Sequence, residues 1–324
     1  MRVIIPDDYQ DAVRQLDCFS RLTGHEVTIF NDTVKEIGAL AERFRDAEAL
    51  VLIRERTTIT EALLARLPNL KLISQTGRGT THIDIAACTR HGVAVTAGTG
   101  SPYAPAELTW ALVLAAARHI PQEAARLRAG RWQSTLGTGL RGRTLGIWGY
   151  GKIGTLVAGY GRAFAMNVLI WGRKGSLSRA QADGFSTVSD KDALFEQSDV
   201  LSLHLKLSKE TRGIVAAADL ARMKSGAILV NTSRAELIER GALEAALRAG
   251  RPGFAAVDVY DEEPVLGASH PLLALGHLEN AVCTPHLGYV EKDSYEDYFG
   301  QAFDQVVAFA AGSPIQVVNP PDAH

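Results

Sequence analysis

The chain of 324 residues contains only three cysteines, Cys18, Cys88 and Cys283, and no two of them have the spacing of a disulfide framework or a metal site. Each reads as a small buried hydrophobe rather than a nucleophile, and a reduced, cytoplasmic compartment is expected. Long apolar runs are equally scarce. The longest, Trp110 to Ala117, falls far short of the ~20 residues a membrane helix needs. The opening MRVIIPDD reads as a short strand with acids behind it, without the apolar centre of a signal peptide. Neither sign of charge dominates: 34 Lys and Arg against 36 Asp and Glu leave −2. That balance offers no basic field for nucleic acid and no polybasic stripe for anionic lipid. No membrane, nucleic-acid or metal partner is therefore expected. Internal repeats, low-complexity tracts and Gly/Ser linkers are also missing.

What is present is alternation. At this length two domains are the default, and 46% hydrophobic with 22% charged residues allow buried cores under a charged surface. Short apolar runs at 2–5, 27–30, 49–53, 71–74 and 93–96 read as strands, with helical patterns near 33–46, 60–66 and 82–90 between them. A longer Ala/Leu-rich helical stretch covers 104–130, interrupted by Pro121. After a Gly/Arg-rich turn at 137–143 the alternation restarts. Strands are expected at 144–148, 167–171, 199–203, 227–231, 254–258 and 281–283, and helices at 152–164, 241–249 and about 290–311. Strands alternating with helices predict α/β domains, each with a parallel sheet covered on both faces. Two such units without a flexible linker suggest an inter-domain cleft.

The stretch TLGIWGYGKIGT (144–155) runs an apolar strand into Gly149-Tyr150-Gly151-Lys152-Ile153-Gly154 and then into a helix. In that setting Gly149 permits the tight turn, Gly151 admits a pyrophosphate to the backbone, and Gly154 lets helix and strand pack closely. The helix N-terminus offers free N–H donors to the phosphates. An acid that would hold the adenosine ribose belongs at the end of the next strand, about 20 residues on. The sequence there is WGRK: Gly172 stands at the acidic position, followed by Arg173 and Lys174. These cations could meet a 2′-phosphate, arginine with bidentate geometry, so NADP is favoured over NAD. The competing reading is an ordinary solvated turn.

Three further strand ends carry chemistry. NTSRAE sets Arg234 just past one strand, VDVYDEEP sets Asp258 at the end of the next with Glu263 before Pro264, and CTPHLGY sets His286 past the last. Ligands bind beyond the carboxyl ends of strands in open α/β sheets. Reduction of a 2-keto acid needs a cation to bind the carboxylate and polarise the carbonyl, and an acid to protonate the developing alkoxide. Arginine supplies the first. Histidine titrates near neutrality, and a carboxylate beside it favours the imidazolium. Taken singly, Arg234 could be an ion-pair residue, Glu263 a surface acid and His286 a turn residue. The set of three, downstream of a nucleotide turn, favours catalysis.

These residues, with HLKLSKETRGIV (204–215), MKSGAILVNTSRAEL (223–237) and AAVDVYDEEP (255–264), make the sequence similar to the D-isomer-specific, NAD(P)-dependent 2-hydroxyacid dehydrogenases over nearly its whole length. Arg234 and Glu263 are 29 residues apart, and Glu263 and His286 are 23 apart, as in that family's pattern. The resemblance implies two Rossmann-like doubly wound parallel-sheet domains. Residues 1–98 with 290–324 would form a flavodoxin-like substrate-binding domain, and 99–289 the dinucleotide-binding one. It implies Arg234 as the substrate-binding and polarising residue and Glu263 as the partner of the acid/base His286. Asp258 would contact the nicotinamide carboxamide, Thr232 and Ser233 would line the nicotinamide, and His204 and Leu205 the adenosine side. It also sets QTGRGTTHID (75–84) at the substrate mouth, with the N–H groups of Arg78 and Gly79 on the substrate carboxylate and Arg54 as a second contact. Arg54 reads equally well as a solvent-facing loop cation. The helix in SPYAPAELTWALVLAAAR resembles the one through which family members form homodimers, although such a helix is equally at home in a monomer's core.

The sequence departs from the family at three points. Ser233-Arg234-Ala235 replaces Ser-Arg-Gly, Lys206 replaces a proline, and Gly172 replaces the dinucleotide acid, as in the NADP-using glyoxylate/hydroxypyruvate reductase branch. The expected activity is the interconversion of a 2-keto acid and a D-2-hydroxy acid. Two alternatives stand beside it. One is a dinucleotide-sensing regulatory protein on the same fold, of a kind that carries tails, whereas little sequence follows Asn319. The other is a formate-type dehydrogenase, whose Gln–His pair Glu263 argues against.

Overall fold

The first part of the chain holds five short strands, four of them largely buried and the second, at one edge of the sheet, partly exposed. They are β1 (Arg2–Ile5), β2 (Glu26–Ile29), β3 (Ala49–Leu52), β4 (Leu72–Gln75) and β5 (Ala94–Ala97), interleaved with α1 (Ile37–Phe44), α2 (Glu61–Leu64) and α3 (Ile85–Arg90). The second part carries α4 (Tyr103–Ala117), α5 (Ile120–Arg128), β6 (Thr144–Trp148), α6 (Lys152–Ala163), β7 (Asn167–Trp171), α7 (Lys174–Ala182), β8 (Ser186–Thr187), α8 (Lys191–Gln197), β9 (Val200–Leu203), α9 (Ala217–Arg222), β10 (Ile228–Asn231), α10 (Ala242–Arg248), β11 (Phe254–Val257) and β12 (Ala281–Cys283), before α11 (Lys292–Ala310). The computed structural model describes residues 1–267 and 270–320. The last four residues of the expected first domain lie outside this range. The chain divides into two compact units, Met1–Ser101 with the segment from Glu291 onward, and Pro102–Val290.

In the first unit the strands pair in parallel in the order β2-β1-β3-β4-β5, the flavodoxin-like arrangement. Alternate residues serve opposite faces. Ile4, Leu50, Leu52, Ile73 and Val95 pack with Leu40 and Phe44 of α1, Leu63 of α2 and Ala87 of α3. Helix α11 covers the other face, where the Ser74 hydroxyl donates to Ala302 O (3.1 Å) and to Gln305 Oε1 (2.7 Å). The expected helix at 33–46 is shorter than its apolar pattern. It starts only at Ile37, because Glu36 folds back to accept the N–H groups of Gly38 and Ala39.

In the second unit seven parallel strands run in the order β12-β11-β10-β9-β6-β7-β8. That is the doubly wound dinucleotide-binding order with one added strand, and it reverses direction between β9 and β6. Leu145, Ile147, Ile170, Val230 and Ala256 pack under α4 and α6 on one face. Leu201, Leu203, Leu229 and Val257 pack under α8, α9 and α10 on the other. The expected single helical stretch at 104–130 is two helices. His119 takes a left-handed backbone (φ 52°) that ends α4, and Pro121 lies in the first turn of α5, where its missing N–H costs nothing. The expectation also left 172–198 without secondary structure, and the chain there forms α7, β8 and α8.

One buried group in the first unit ties stability to pH. His82, between β4 and α3, has both ring nitrogens buried without a hydrogen-bond partner. Burial pushes its imidazole from the ordinary 6.5 down to about 4; the Glu55 charge opposes this and the Arg54 charge adds to it. The unfolded chain then holds the proton more tightly than the folded one. Stability is therefore complete above pH ~6.5 and falls as pH drops toward 4, by up to ~3 kcal/mol. Denaturation of the wild type and His82→Gln between pH 4 and 7 should show a steeper fall in the wild type, by up to ~3 kcal/mol, on top of the slope that the buried His204 gives to both. Parallel pH profiles would contradict it.

Candidate active site

The strand register of the second unit lines up its carboxyl ends. Trp171 pairs with Trp148, Trp148 with Leu203, Leu203 with Asn231, Asn231 with Val257, and Val257 with Cys283. Immediately past this edge lie Gly172–Lys174, Gly149–Gly154, His204–Leu205, Thr232–Arg234, Asp258 and His286. Six sequence stretches that span more than a hundred residues thus end on one side of one sheet.

The three glycines of the turn do different work. Gly149 has φ 104°, and a β-carbon there would collide with the His204 carbonyl, whose strand closes against it at the switch point. At Gly154 a β-carbon would collide with the Gly149 carbonyl. Both glycines are therefore demanded by the fold itself. A β-carbon at Gly151 would meet nothing within 4 Å. Gly151 precedes α6, whose first turn has no side-chain cap, so the unfilled space opens at uncapped N–H donors. That fits a pyrophosphate approaching the backbone. Lys152 and Gly151 are exposed and Ile153 is half-buried. Tyr150, between the first two glycines, is buried, and its hydroxyl donates to Asp183 Oδ2 (2.6 Å).

Arg173 and Lys174 stand where a strand turn runs into a helix. They open α7, both exposed, with no acid in the helix's first turn. Two cations at the positive end of a helix dipole form a site short of negative charge. A side chain at Gly172 would make only ordinary contacts, 3.6 Å to Ser176 Cβ and 3.8 Å to Gly149 Cα, so packing does not exclude a carboxylate there. Arg179 escaped the sequence reading. Its Nη2 donates to the Tyr150 carbonyl (3.0 Å) and to Ser176 Oγ (3.3 Å), clipping α7 to the glycine turn. Its signal was the one-turn spacing from Ser176, legible only once α7 is known to be a helix. His204 hydrogen-bonds Ser202 Oγ through Nε2 (2.9 Å), and desolvation lowers its imidazole to about 4.

At the other end of the edge, His286 Nδ1 meets Glu263 Oε2 at 2.6 Å, and both side chains are mostly shielded from solvent. Glu263 Oε1 accepts the Tyr260 N–H (3.0 Å), which fixes the carboxylate plane. His286 itself has a left-handed backbone, φ 53°, a strain of about 1–3 kcal/mol that the surrounding loop must hold. Asp258 holds it. Its buried carboxylate accepts the Thr284 hydroxyl (2.6 Å) and the N–H groups of Leu287 (2.7 Å) and Gly288 (2.9 Å). Burial raises the Asp258 carboxyl above the usual range, and the bonds from Thr284 and Leu287 oppose that rise.

Arg234 begins the 3-10 turn Ala235–Leu237; its Nη1 donates to Ser233 O (2.7 Å) and its carbonyl accepts Asn231 Nδ2 (2.9 Å). Ala235 has no positive φ, so the loss of the family's glycine imposes no strain here. Ser233 Oγ donates to Leu203 O (2.7 Å), and Thr232 Oγ1 lies 2.7 Å from Thr109 Oγ1 on α4. Thr109 is a second residue the sequence reading missed.

The first unit's candidates lie on loops after paired strands, Leu52 of β3 standing beside Gln75 of β4. Arg54 is not a solvent-facing cation. It is half-buried with φ 53°, and its guanidinium lies 5.6 Å from the Tyr298 ring centre and packs against Gly77. Arg78 is exposed and Gly79 half-buried.

Comparison with known proteins agrees with this construction. Residues 110–288 match the model of the D-isomer specific 2-hydroxyacid dehydrogenase, NAD binding domain. The chain is 38% identical to the glyoxylate reductase of Aeropyrum pernix over 86% of this chain and 85% of that one. Among solved structures, an oxidoreductase from Ralstonia solanacearum superposes with a TM-score of 0.95 at 57% identity, covering 99% of this chain and 97% of that one. A phosphoglycerate oxidoreductase from Vibrio cholerae O395 gives 0.93 at 54%, covering 96% and 99%. The chain spans about half the length of the curated D-3-phosphoglycerate dehydrogenases it matches. It belongs to the D-isomer-specific 2-hydroxyacid dehydrogenase family, and is an oxidoreductase of that class using a nicotinamide dinucleotide.

The glycine geometry separates folding from binding. Gly151→Ala should leave the melting temperature within about 2 °C of wild type yet weaken dinucleotide binding at least about tenfold, whereas Gly154→Ala should itself destabilise by ~1–3 kcal/mol. Calorimetric titration and thermal melts of both variants check this. Equal loss of stability in the two would contradict it.

Proposed function

We propose that the protein reduces short 2-keto acids to D-2-hydroxy acids and favours NADPH over NADH. The observation that carries the reading is the 2.6 Å contact of His286 Nδ1 with Glu263, beyond the same strand edge as a glycine turn open to a pyrophosphate. With Nδ1 engaged by a carboxylate, Nε2 is the nitrogen left to hold a proton toward substrate. Bound dinucleotide supplies the hydride. Arg234 binds the substrate carboxylate and polarises the carbonyl. His286 delivers its Nε2 proton to the developing alkoxide, and Glu263 stabilises the imidazolium beforehand and keeps the ring oriented. The N–H groups of Arg78 and Gly79, with Arg54, take the remaining hold on the carboxylate.

The dinucleotide's phosphates are assigned to Gly149, Gly151, Lys152, Ile153 and Gly154, and its adenosine side to His204 and Leu205. Thr232 and Ser233 line the nicotinamide, and Asp258 faces its carboxamide. Asp258 also anchors the His286 loop, so its substitution would cost more than one contact. A 2′-phosphate answers the missing negative charge at the start of α7, through Arg173 and Lys174. Relatives of this chain are named for glyoxylate, for hydroxypyruvate and for 3-phosphoglycerate. The shared chemistry is a short 2-keto acid or the corresponding 2-hydroxy acid. Large apolar side chains left exposed along 103–136, among them Trp132 (78%) and Leu136 (96%), support a homodimer.

His286→Ala should lower kcat for glyoxylate or hydroxypyruvate by about 10²–10⁴-fold while dinucleotide Kd changes less than about twofold. Retained turnover would remove the acid/base role. Arg173→Ala should weaken NADPH by about ten- to a hundredfold and leave NADH nearly unchanged. Equal loss for both would reduce Arg173 to a general surface charge.

A further inference from the structure

Two side chains at the end of β4 close on one residue of the loop after β3. Gln75, the last residue of β4, and Thr76 behind it are buried, 1% and 2% exposed. The Thr76 hydroxyl accepts the Arg54 N–H (3.0 Å) and donates to the Leu52 carbonyl (2.8 Å). Gln75 Nε2 donates to the Arg54 carbonyl (3.0 Å) and to the Thr76 carbonyl (3.1 Å). Both backbone polar groups of Arg54 are therefore taken by this pair. By committing its amino group to two carbonyls, Gln75 leaves its Oε1 buried without a hydrogen-bond partner, which costs stability and is not explained by packing.

What the pair holds is an unusual backbone. Arg54 has φ 53°, in the left-handed region that a side chain as bulky as arginine seldom adopts. From there its guanidinium lies against Gly77, where a β-carbon would collide with Nη1 and stand 3.6 Å from Cζ. The Tyr298 ring of α11 flanks the same group at 5.6 Å. Gly77 opens the turn whose next two N–H groups, of Arg78 and Gly79, are assigned to the substrate carboxylate. Backbone strain at such a place persists only where the surroundings over-determine it. Here Gln75 and Thr76 supply that restraint.

We infer that Gln75 and Thr76 are positioning residues for substrate binding: they fix Arg54 in the left-handed backbone that lays its guanidinium along the Gly77 turn. Released from them, Arg54 relaxes to a negative φ. That change swings its Cα–Cβ bond and carries the guanidinium off the turn. A group that grips a ligand is only as well placed as the residues that lock it. The restraint acts on the backbone, so it does not depend on how the charges of this loop pair with one another. It rests on the assignment of Arg54 to the substrate carboxylate made under Proposed function.

The test is steady-state kinetics with glyoxylate and hydroxypyruvate, at saturating NADPH, on Thr76→Val, Thr76→Ser, Gln75→Met, Arg54→Gln and the double variant Thr76→Val/Arg54→Gln. A contact made equally in the ground and transition states sets KM rather than kcat. Thr76→Val and Gln75→Met should therefore each raise KM about fivefold or more, with kcat and the NADPH Kd within about twofold of wild type. Thr76→Ser keeps the hydroxyl and should stay within about twofold of wild type in KM. Arg54→Gln should raise KM about tenfold or more, and adding Thr76→Val to it should change KM less than about twofold further. KM is independent of the fraction of protein folded, so a loss of stability does not mimic the effect. A wild-type KM in Thr76→Val and Gln75→Met would overturn the positioning role and leave Arg54 on the carboxylate. So would a Thr76→Val effect as large in the Arg54→Gln background as alone. An unchanged KM in Arg54→Gln would overturn that assignment, and the inference with it.

Discussion

All seven strands of the second unit run parallel and six of them, β6, β7 and β9 to β12, stop level, and the candidate site depends on that one constraint. Because each strand pairs residue for residue with the next, the turn after every strand is delivered to the same edge. The glycine turn, the cationic start of α7 and the Glu263–His286 pair therefore lie along one edge of the sheet although they are far apart in sequence. The reversal between β6 and β9 adds the local detail. Gly149 must be glycine because the chain leaving β9 comes down on top of it at His204. The backbone is crowded there and open two residues later, at Gly151, a pairing that fits a phosphate-binding turn.

The electrostatics are distributed along that edge with some economy. Asp258, whose carboxyl burial raises above the usual range, commits its oxygens to the loop that carries His286 and so restrains a backbone conformation that histidine does not prefer. Glu263 is held by a peptide N–H on one oxygen and gives the other to the imidazole. At the far end of the edge the balance is reversed: α7 begins with cations and has no acid in its first turn to answer the field of the helix. The scaffold that positions these groups is mostly backbone and small hydroxyls. Thr109 braces Thr232 from α4, and Ser233 ties its turn to the end of β9.

Much of this was legible in the sequence, for reasons specific to certain residues. The apolar runs of β6, β9, β10 and β11 are buried on both faces and short, so they stand out from the helices between them. Gly149, Gly151 and Gly154 are spaced by the turn they make, and Arg234, Glu263 and His286 fall just past strands that are easy to find. What stayed hidden depended on contacts that register alone creates. Helix α7 opens with Arg173, Lys174 and Gly175, which oppose a helix start, and buries little beyond Ala180, so no period announces it. Arg179 has a role only once that helix exists. Thr109 and Thr232 are 123 residues apart, and nothing local couples them. Pro121 was read as interrupting one helix; it lies at the start of another because His119 had already ended the first.

The central claim is that one strand edge carries the dinucleotide from α7 to His286. A crystal structure of the protein with bound NADPH tests it most directly. The account predicts the 2′-phosphate against Arg173 and Lys174, the pyrophosphate over Gly151 at the start of α6, and the nicotinamide ring beside His286 with its Nδ1 still on Glu263. A dinucleotide bound with its adenosine end away from α7, or a His286 ring turned off Glu263, would contradict it.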